Sequence, residues 1–423
     1  MDEAGLPELL RGFVADTQCG EVVEVFARRV STRQVVDAPD ARVRISDHWQ
    51  AELRSVRDER CGASVTADLS PAGLETARGM ARLLRDVARS ASVAYDALPP
   101  LATALPEQHR TPDGDGLSRL WSQAAEAVAD VAITVADTVR STMLVDSTGR
   151  HGGYHSSETQ LHLRSTAPHS TRAQGSALAT RPSGVDVDSA VAELSDSRRR
   201  MSGTPAAGSQ PDWLVLSPLA AAQMLNRLFP GLCRGPVGDD LVGSTSVTIV
   251  DDGVLPEGPA SAPFDDEGIP GQRTVVVENG RFRTALSGLP VSVSTGNSRR
   301  GDWRSGVHVA ATNLFFAPDG DGQIDLARLP SEGMYVEQIS GVPGRVNWEG
   351  ATLPMTLHGA AVRAGEPTGP MTAVISPSGR QLLRAIQRVA GKTKFYRVNG
   401  VIGGSTCLLA GLDVRATTCP SAD

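Results

Sequence analysis

Apolar and polar residues alternate along the N-terminal part of the chain in short runs that predict strands. Glu21–Arg29 (EVVEVFARR) and Ala41–Ile45 (ARVRI) read as strands. Leu53–Val65 has no clear period. Ser70-Pro71 then opens a helix, because serine can cap the free N–H groups and proline is tolerated in the first turn. Leu74, Ala77, Met80, Ala81, Leu84 and Val87 fall on one face of it at helical spacing. After the Pro-rich loop Leu98–Pro112, a helix over Leu117–Ala129 places Leu120, Ala124 and Val128 on one side. Val131–Arg140, Ser141–Val145 and Gln160–Ser165 read as strands, and Asp188–Ser197 as a short helix.

The stretch Met201–Asp212 (MSGTPAAGSQPD) is small, polar and broken by proline and glycine, which predicts a domain boundary. Beyond it Trp213–Leu216 is an apolar strand, and Ser217-Pro218 repeats the cap-plus-proline signal ahead of a helix over Leu219–Phe229, with Pro230-Gly231 as its expected stop. The rest is strand-rich: Val247–Val250, Thr274–Val277, Leu314–Ala317, Met334–Ile339 and Cys407–Val414, with one more helix around Arg380–Val389. No repeat of fixed period occurs. The expected fold is α+β in two domains: a sheet-and-helix domain over 1–205 and a β-rich, barrel- or sandwich-like domain over 206–423.

Composition narrows the function. A chain of 423 residues can form more than one core. Aromatics are only 4% of it, so those cores must be built mainly from Val, Leu, Ala and Ile. Lys392 and Lys394 are the only lysines among 41 basic residues, a bias that points to a GC-rich genome. The net charge of −7 argues against a nucleic-acid partner. No window approaches the ~20 apolar residues that would span a membrane, and MDEAGLPELL lacks the basic start of a signal peptide. Cys19, Cys61, Cys233, Cys407 and Cys419 are odd in number and scattered, as reduced thiols of a cytoplasmic protein would be.

Several constellations invite chemistry. His151, His155, His162 and His169 could form a metal cluster or lie as separate histidines on a loop and strand. His155 and His162 are seven apart and face opposite sides of one strand. Asp319, Asp321 and Asp325 match the start of a calcium loop, but Ile324 and Pro330 stand where glycine and glutamate are needed, so a turn is expected. Gly403-Gly404-Ser405 is read as a glycine turn before a strand, with no nucleophile elbow around it. Asp265, Asp266 and Glu267 can cap a turn with a carboxylate or face an interface. Asn297, Arg299 and Arg300 can bind a substrate carboxylate or pair with nearby acids, since guanidinium offers a rigid fork of donors.

The ordered series ADLSPAGLETARGMARLL (67–84), LVLSPLAAAQML (214–225), VTIVDDG (247–253), FDDEGIP (264–270), VVVENGRF (275–282), STGNSRR (294–300) and ATNLFF (311–316, which holds Asn313) resembles the TldD/PmbA family, the group associated with modulators of DNA gyrase and with metallopeptidases. In the TldD-like branch the helix after the first strand of the second domain carries HExxxH, and a later cysteine completes a zinc site. Here that helix reads SPLAAAQMLNRLFPG, placing Gln223 near the first histidine, Met224 near the glutamate and Leu228 near the second histidine. None of these side chains supplies that chemistry, no HExxxH occurs in the chain, and Cys407 lacks the glycine-rich surroundings of the ligand cysteine. The resemblance is therefore to the PmbA (TldE) branch.

That resemblance implies a metal-free subunit with no catalytic residue or cofactor of its own. It would pair with a TldD-like, HExxxH-bearing partner that holds zinc and hydrolyses an amide in a peptide or small amino-acid conjugate, in proteolysis or natural-product biosynthesis. Asp265, Asp266, Glu267, Asn297, Arg299, Arg300 and Asn313 would then line an enclosed chamber or the subunit interface. Two other readings stand beside it: a non-enzymatic binding or scaffold protein, and a homodimer with a different metal site.

Overall fold

Alternation along one long strand organises the N-terminal half. The computed structural model describes residues 5–36, 42–87, 98–101, 111–167, 172–204, 210–289, 294–300, 306–330, 332–341, 348 and 354–417. Helix α1 (Leu6–Ala15) leads into β1 (Val22–Val36), β2 (Arg42–Arg57) and β3 (Arg60–Thr66). Helices α2 (Pro71–Val87) and α3 (Gly114–Ala127) precede β4 (Val131–Asp146), β5 (His151–Ser165) and β6 (Gln174–Ala179), and α4 (Val187–Arg200) closes the unit. The strands form one six-stranded sheet in the order β3-β2-β1-β4-β5-β6, antiparallel throughout.

The helices cover one face of this sheet. Val23, Val25 and Ala27 of β1 pack with Leu6, Leu10 and Leu74 from α1 and α2. Ile133, Val135, Leu161 and Leu163 pack with Leu117, Ala190 and Leu194 from α3 and α4. Because side chains alternate along a strand, Glu24, Phe26 and Arg28 point the other way. There Phe26 and Leu144 meet Phe264 of the second half.

In the second half, β7 (Trp213–Leu216) feeds α5 (Pro218–Leu232), followed by β8 (Ile249–Asp252), β9 (Arg273–Glu278), β10 (Arg281–Phe282), β11 (Ser298–Arg300), β12 (Val307–Val309) and β13 (Leu314–Phe316). Then come β14 (Glu332–Ser340), β15 (Met355–Arg363), β16 (Glu366–Ile375), α6 (Gly379–Ala385), β17 (Ile386–Arg397), β18 (Val401–Ala410) and β19 (Arg415–Thr417). An eleven-stranded sheet runs β10-β9-β8-β13-β18-β7-β14-β15-β16-β19, with β17 also paired to β18; β11 and β12 form a separate ribbon. Ala220, Ala221, Ala222, Met224, Leu225, Leu228 and Leu232 of α5 all lie in the core. Among the described residues, no helix is long and apolar enough to cross a membrane.

Several elements depart from the sequence expectation. In α2 the buried residues are Leu74, Ala77, Arg78, Ala81 and Arg85, while Met80, Leu84 and Val87 are exposed. Arginine chemistry turns the helix: Arg85 Nη1 donates to Glu21 Oε1 at 3.2 Å and to Ser55 Oγ at 2.8 Å, and the Arg78 guanidinium lies 4.5 Å from the Phe13 ring centroid. Helix α5 does not stop at Pro230. Its last turn continues to the buried Leu232, held by Cys233 N donating to Phe229 O and Leu286 N to Leu232 O. The segment read as helix to Val389 turns into strand at Ile386, where β17 pairs with β18.

Gly403 and Gly404 lie within β18, which begins at Val401, rather than in a turn. A Cβ at Gly404 would stand 1.7 Å from Pro218 O, so glycine here lets α5 lie directly on the strand. Helix α1 and strands β6, β15, β16 and β17 have no counterpart in the sequence reading. The chain leaves the first sheet at α4 and enters the second at β7; the boundary expected at 205/206 lies outside the described residues.

Candidate functional site

The uncovered face of the first sheet meets the loops of the second half through charge. The triplet Asp265, Asp266 and Glu267 is buried there. Asp265 organises backbone: its Oδ1 accepts from Glu267 N and Ile269 N, both at 2.9 Å, and its Oδ2 from Ser298 N at 2.9 Å. Burial nevertheless raises its carboxyl to about 6. Gly268 follows with φ +78°, and a Cβ on it would collide with the Arg150 guanidinium.

Asp266 reaches across to the first sheet. Its Oδ1 accepts from Arg28 Nη2 at 2.6 Å and its Oδ2 from Arg300 N at 2.8 Å. Burial opposes its charge, but Arg28 and Arg299 outweigh that and hold its pKa below the usual range. Glu267 Oε1 accepts from Arg54 Nη1 at 3.1 Å, and its Oε2 from Ser298 Oγ at 2.5 Å.

Arg300 is a structural cation. Its Nη2 pairs with Glu24, its Nη1 donates to Glu52 Oε1 at 3.2 Å and its Nε to Asp266 O at 2.9 Å. The Arg28 and Arg300 guanidinium centres lie 4.8 and 4.7 Å from the same Phe26 ring centroid. Asn297 and Asn313 are also internal. Asn297 Nδ2 donates to Asp251 Oδ2 at 2.6 Å and to Ala310 O at 3.0 Å. Asn313 Nδ2 donates to Asp252 O at 2.7 Å, and its Oδ1 accepts from Ala260 N at 3.0 Å.

Arg299 differs: it faces a cleft of about 350 Å³ between the two halves. The floor is the outer face of the first sheet, with Arg28, Arg140, Thr142, Tyr154, Ser156 and Glu158. Strand register sets this pattern. Arg28 lies opposite Thr142, which lies opposite Tyr154, and Arg140 lies opposite Ser156. The walls are Pro259–Ala262, Arg299, His308 and Arg397. Arg397 Nε donates to Glu158 Oε1 at 2.7 Å. Sequence reading missed Arg28, Arg140, Tyr154, Glu158 and Arg397. The signal present was a charge at an alternate strand position, as in EVFARR, where a solvated face was the simpler inference.

The helix positions aligned with HExxxH do not fit a zinc site. Met224 and Leu228 are in the apolar core, and Gln223 Oε1 accepts from Ile339 N at 2.7 Å. Cys407 is buried and its thiol is pushed up to about 12 by desolvation, far from a ligating thiolate. Among the described residues, no group of three or more His, Cys, Asp or Glu could hold a metal ion. His151 Nδ1 sits 3.0 Å from Gly149 O, and His155 Nδ1 sits 2.9 Å from Ser141 Oγ. His169 and Cys419 lie outside the described residues. Asp319 to Asp325 forms an exposed turn in which Asp325 caps the short helical turn Leu326–Arg328.

Residues 214–416 match the PmbA/TldA metallopeptidase C-terminal domain. The chain is 28% identical over 169 residues to the metalloprotease TldD homolog of Buchnera aphidicola subsp. Schizaphis graminum, covering 38% of this chain and 35% of that protein. It is 28% identical over 188 residues to the Haemophilus influenzae metalloprotease TldD homolog, covering 42% and 38%. The match thus spans little more than a third of the length of these relatives. The crystal structure of TldE from Thermococcus kodakarensis superposes with a TM-score of 0.76 at 15% identity, covering 97% of this chain and 99% of that one, which shows a shared fold. Residues 214–416 thus match the C-terminal domain of the PmbA/TldA metallopeptidase family, and the chain as a whole shares the fold of the TldE structure.

Proposed function

We propose that this chain is the metal-free, TldE-like subunit of a heterodimeric zinc metallopeptidase. A TldD-like partner would hold the zinc and hydrolyse an amide in a peptide or small amino-acid conjugate, in proteolysis or in a biosynthetic pathway, in the cytoplasm. The observation that carries this reading is the state of α5: Met224 and Leu228, aligned with the glutamate and second histidine of HExxxH, are packed into the core. Zinc-activated water would supply the attacking nucleophile in the partner. This chain would contribute a rigid wall. The Asp265–Glu267 loop is fixed by Arg28, Arg54 and Ser298, and the cleft above the first sheet offers guanidinium groups to orient a substrate.

The test is copurification of the tagged chain from its native host, with zinc analysis and peptidase assay of the product. The expected result is a complex with an HExxxH-bearing chain, zinc in the complex, and activity lost to chelator. A chain that purifies alone with stoichiometric zinc would favour the homodimer with its own metal site. A complex lacking any HExxxH-bearing chain would favour a binding or scaffold protein.

A further inference from the structure

Among the described residues, the cleft floor holds a guanidinium that the fold does not pair. Arg28 is paired with Asp266 and Arg397 with Glu158. Arg300 is enclosed by Glu24 and Glu52. Arg140 lies on the same face of the sheet, opposite Val30 on one side and Ser156 on the other. Among the described residues it has no hydrogen-bond or ion-pair partner. Arg299, in the opposite wall, donates among the described residues to the carbonyl of its neighbour Ser298, at 2.9 Å, and its charge favours the Asp266 carboxylate.

The cost of this arrangement is plain in physical terms. A guanidinium stays protonated at any ordinary pH. Desolvation works against the charge on Arg140, Glu158 favours it, and Arg397 and Arg28 oppose it again. Among the described residues lining the cleft, the one carboxylate, Glu158, is already engaged. A half-buried cation facing other cations is unfavourable in the empty cleft, and an anion that enters offsets this.

We propose that this cleft is an oxyanion-binding site in which Arg140 and Arg299 receive the carboxylate of a peptide or amino-acid conjugate. Planar, bidentate recognition of a carboxylate suits guanidinium, and a volume of about 350 Å³ accommodates a short chain end. Thr142 and Ser156 add neutral hydroxyl groups to the floor. The choice of a carboxylate rests on the amide-hydrolase reading above, whereas the excess of guanidinium does not.

The test is calorimetric titration of the purified full chain, without partner or zinc, using N-acetylglycylglycine, its C-terminal amide and inorganic phosphate. The free carboxylate should bind about tenfold tighter than the amide, the effect of one charge-assisted pair. Arg140→Gln should remove that preference, so that carboxylate and amide bind alike. It should also unfold at the wild-type temperature or above, because no partner is orphaned. Arg140→Lys should keep part of the preference, and serves in place of Arg140→Gln if the latter does not fold. Equal binding of carboxylate and amide, or an unchanged preference in Arg140→Gln, would overturn the proposal. Arg140-dependent binding of phosphate without the peptide carboxylate would overturn it too. Since no partner is present, such a failure is separate from failure of the copurification test.

Discussion

Arg28 on β1 and Asp266 in the loop before β9 meet at 2.6 Å across the junction of the two sheets, 238 residues apart in the chain. Asp266 is fully buried and Arg28 is partly exposed. Removing one partner therefore strands the other charge. Asp266→Ala should cost about 3–5 kcal/mol, and the Arg28→Ala, Asp266→Ala double variant should cost less than the sum of the two. Denaturant unfolding of all four proteins in the cycle checks this. Strict additivity would mean that the pair is not coupled.

Gly268 tests the shape of the same loop. It holds φ +78°, and a Cβ there would meet Arg150 Nη2 at 2.3 Å. Gly268→Ala should destabilise by about 1–3 kcal/mol through backbone strain alone. It should also disturb Arg150, whose Nη2 donates to Glu267 O and Gly268 O. A melting temperature equal to wild type would show that the loop adjusts freely.

Helix α5 is a core element. Leu228 has no exposed surface, so Leu228→Ala should cost about 2–5 kcal/mol by leaving a cavity. Leu228→His should be destabilised as well and should acquire no zinc. Thermal unfolding and metal analysis read the two outcomes. Zinc bound stoichiometrically by Leu228→His would contradict the packing described for this helix.

Acid should act through Glu21. Burial opposes its charge, but hydrogen bonds from Arg82 and Ser55 overcome this and hold its pKa at about 2, below its ordinary 4.5. A carboxylate depressed on folding stabilises fully above the unfolded value and loses that stabilisation as pH falls through the folded one. The melting temperature of Glu21→Gln should therefore lie below wild type at neutral pH, and the gap should close between pH 4.5 and about 2. A gap that stays constant over that range would rule out this linkage.

Much of the fold was legible because local rules coincide with burial. Ser217 caps α5 through Ala220 N, and β7 spans Trp213–Leu216 as its apolar run predicts. The failures share a cause. Met80, Leu84 and Val87 look like a core face, but Glu21 attracts Arg82 and Arg85, and the helix turns its arginines inward. Pro230 looks like a stop, yet burial of Leu232 extends the helix past it. Of the candidate residues, Asp265, Asp266, Glu267 and Arg300 come together at one junction, while Asn297 and Asn313 tie loops within the second half.

The sequence by itself determined the order of most elements, the missing HExxxH and the acidic and arginine-bearing loops, because caps, periodicity and ligand types are local properties. Tertiary structure decided which charges are neutralised. Arg300 and Arg299 are adjacent in sequence, yet one is locked against Glu24 and Glu52 while the other faces the cleft. Arg140 reads as an ordinary strand residue until the register sets it on the floor beneath that wall. Strand pairing and the docking of the two sheets make that choice, and both depend on residues far apart in the chain.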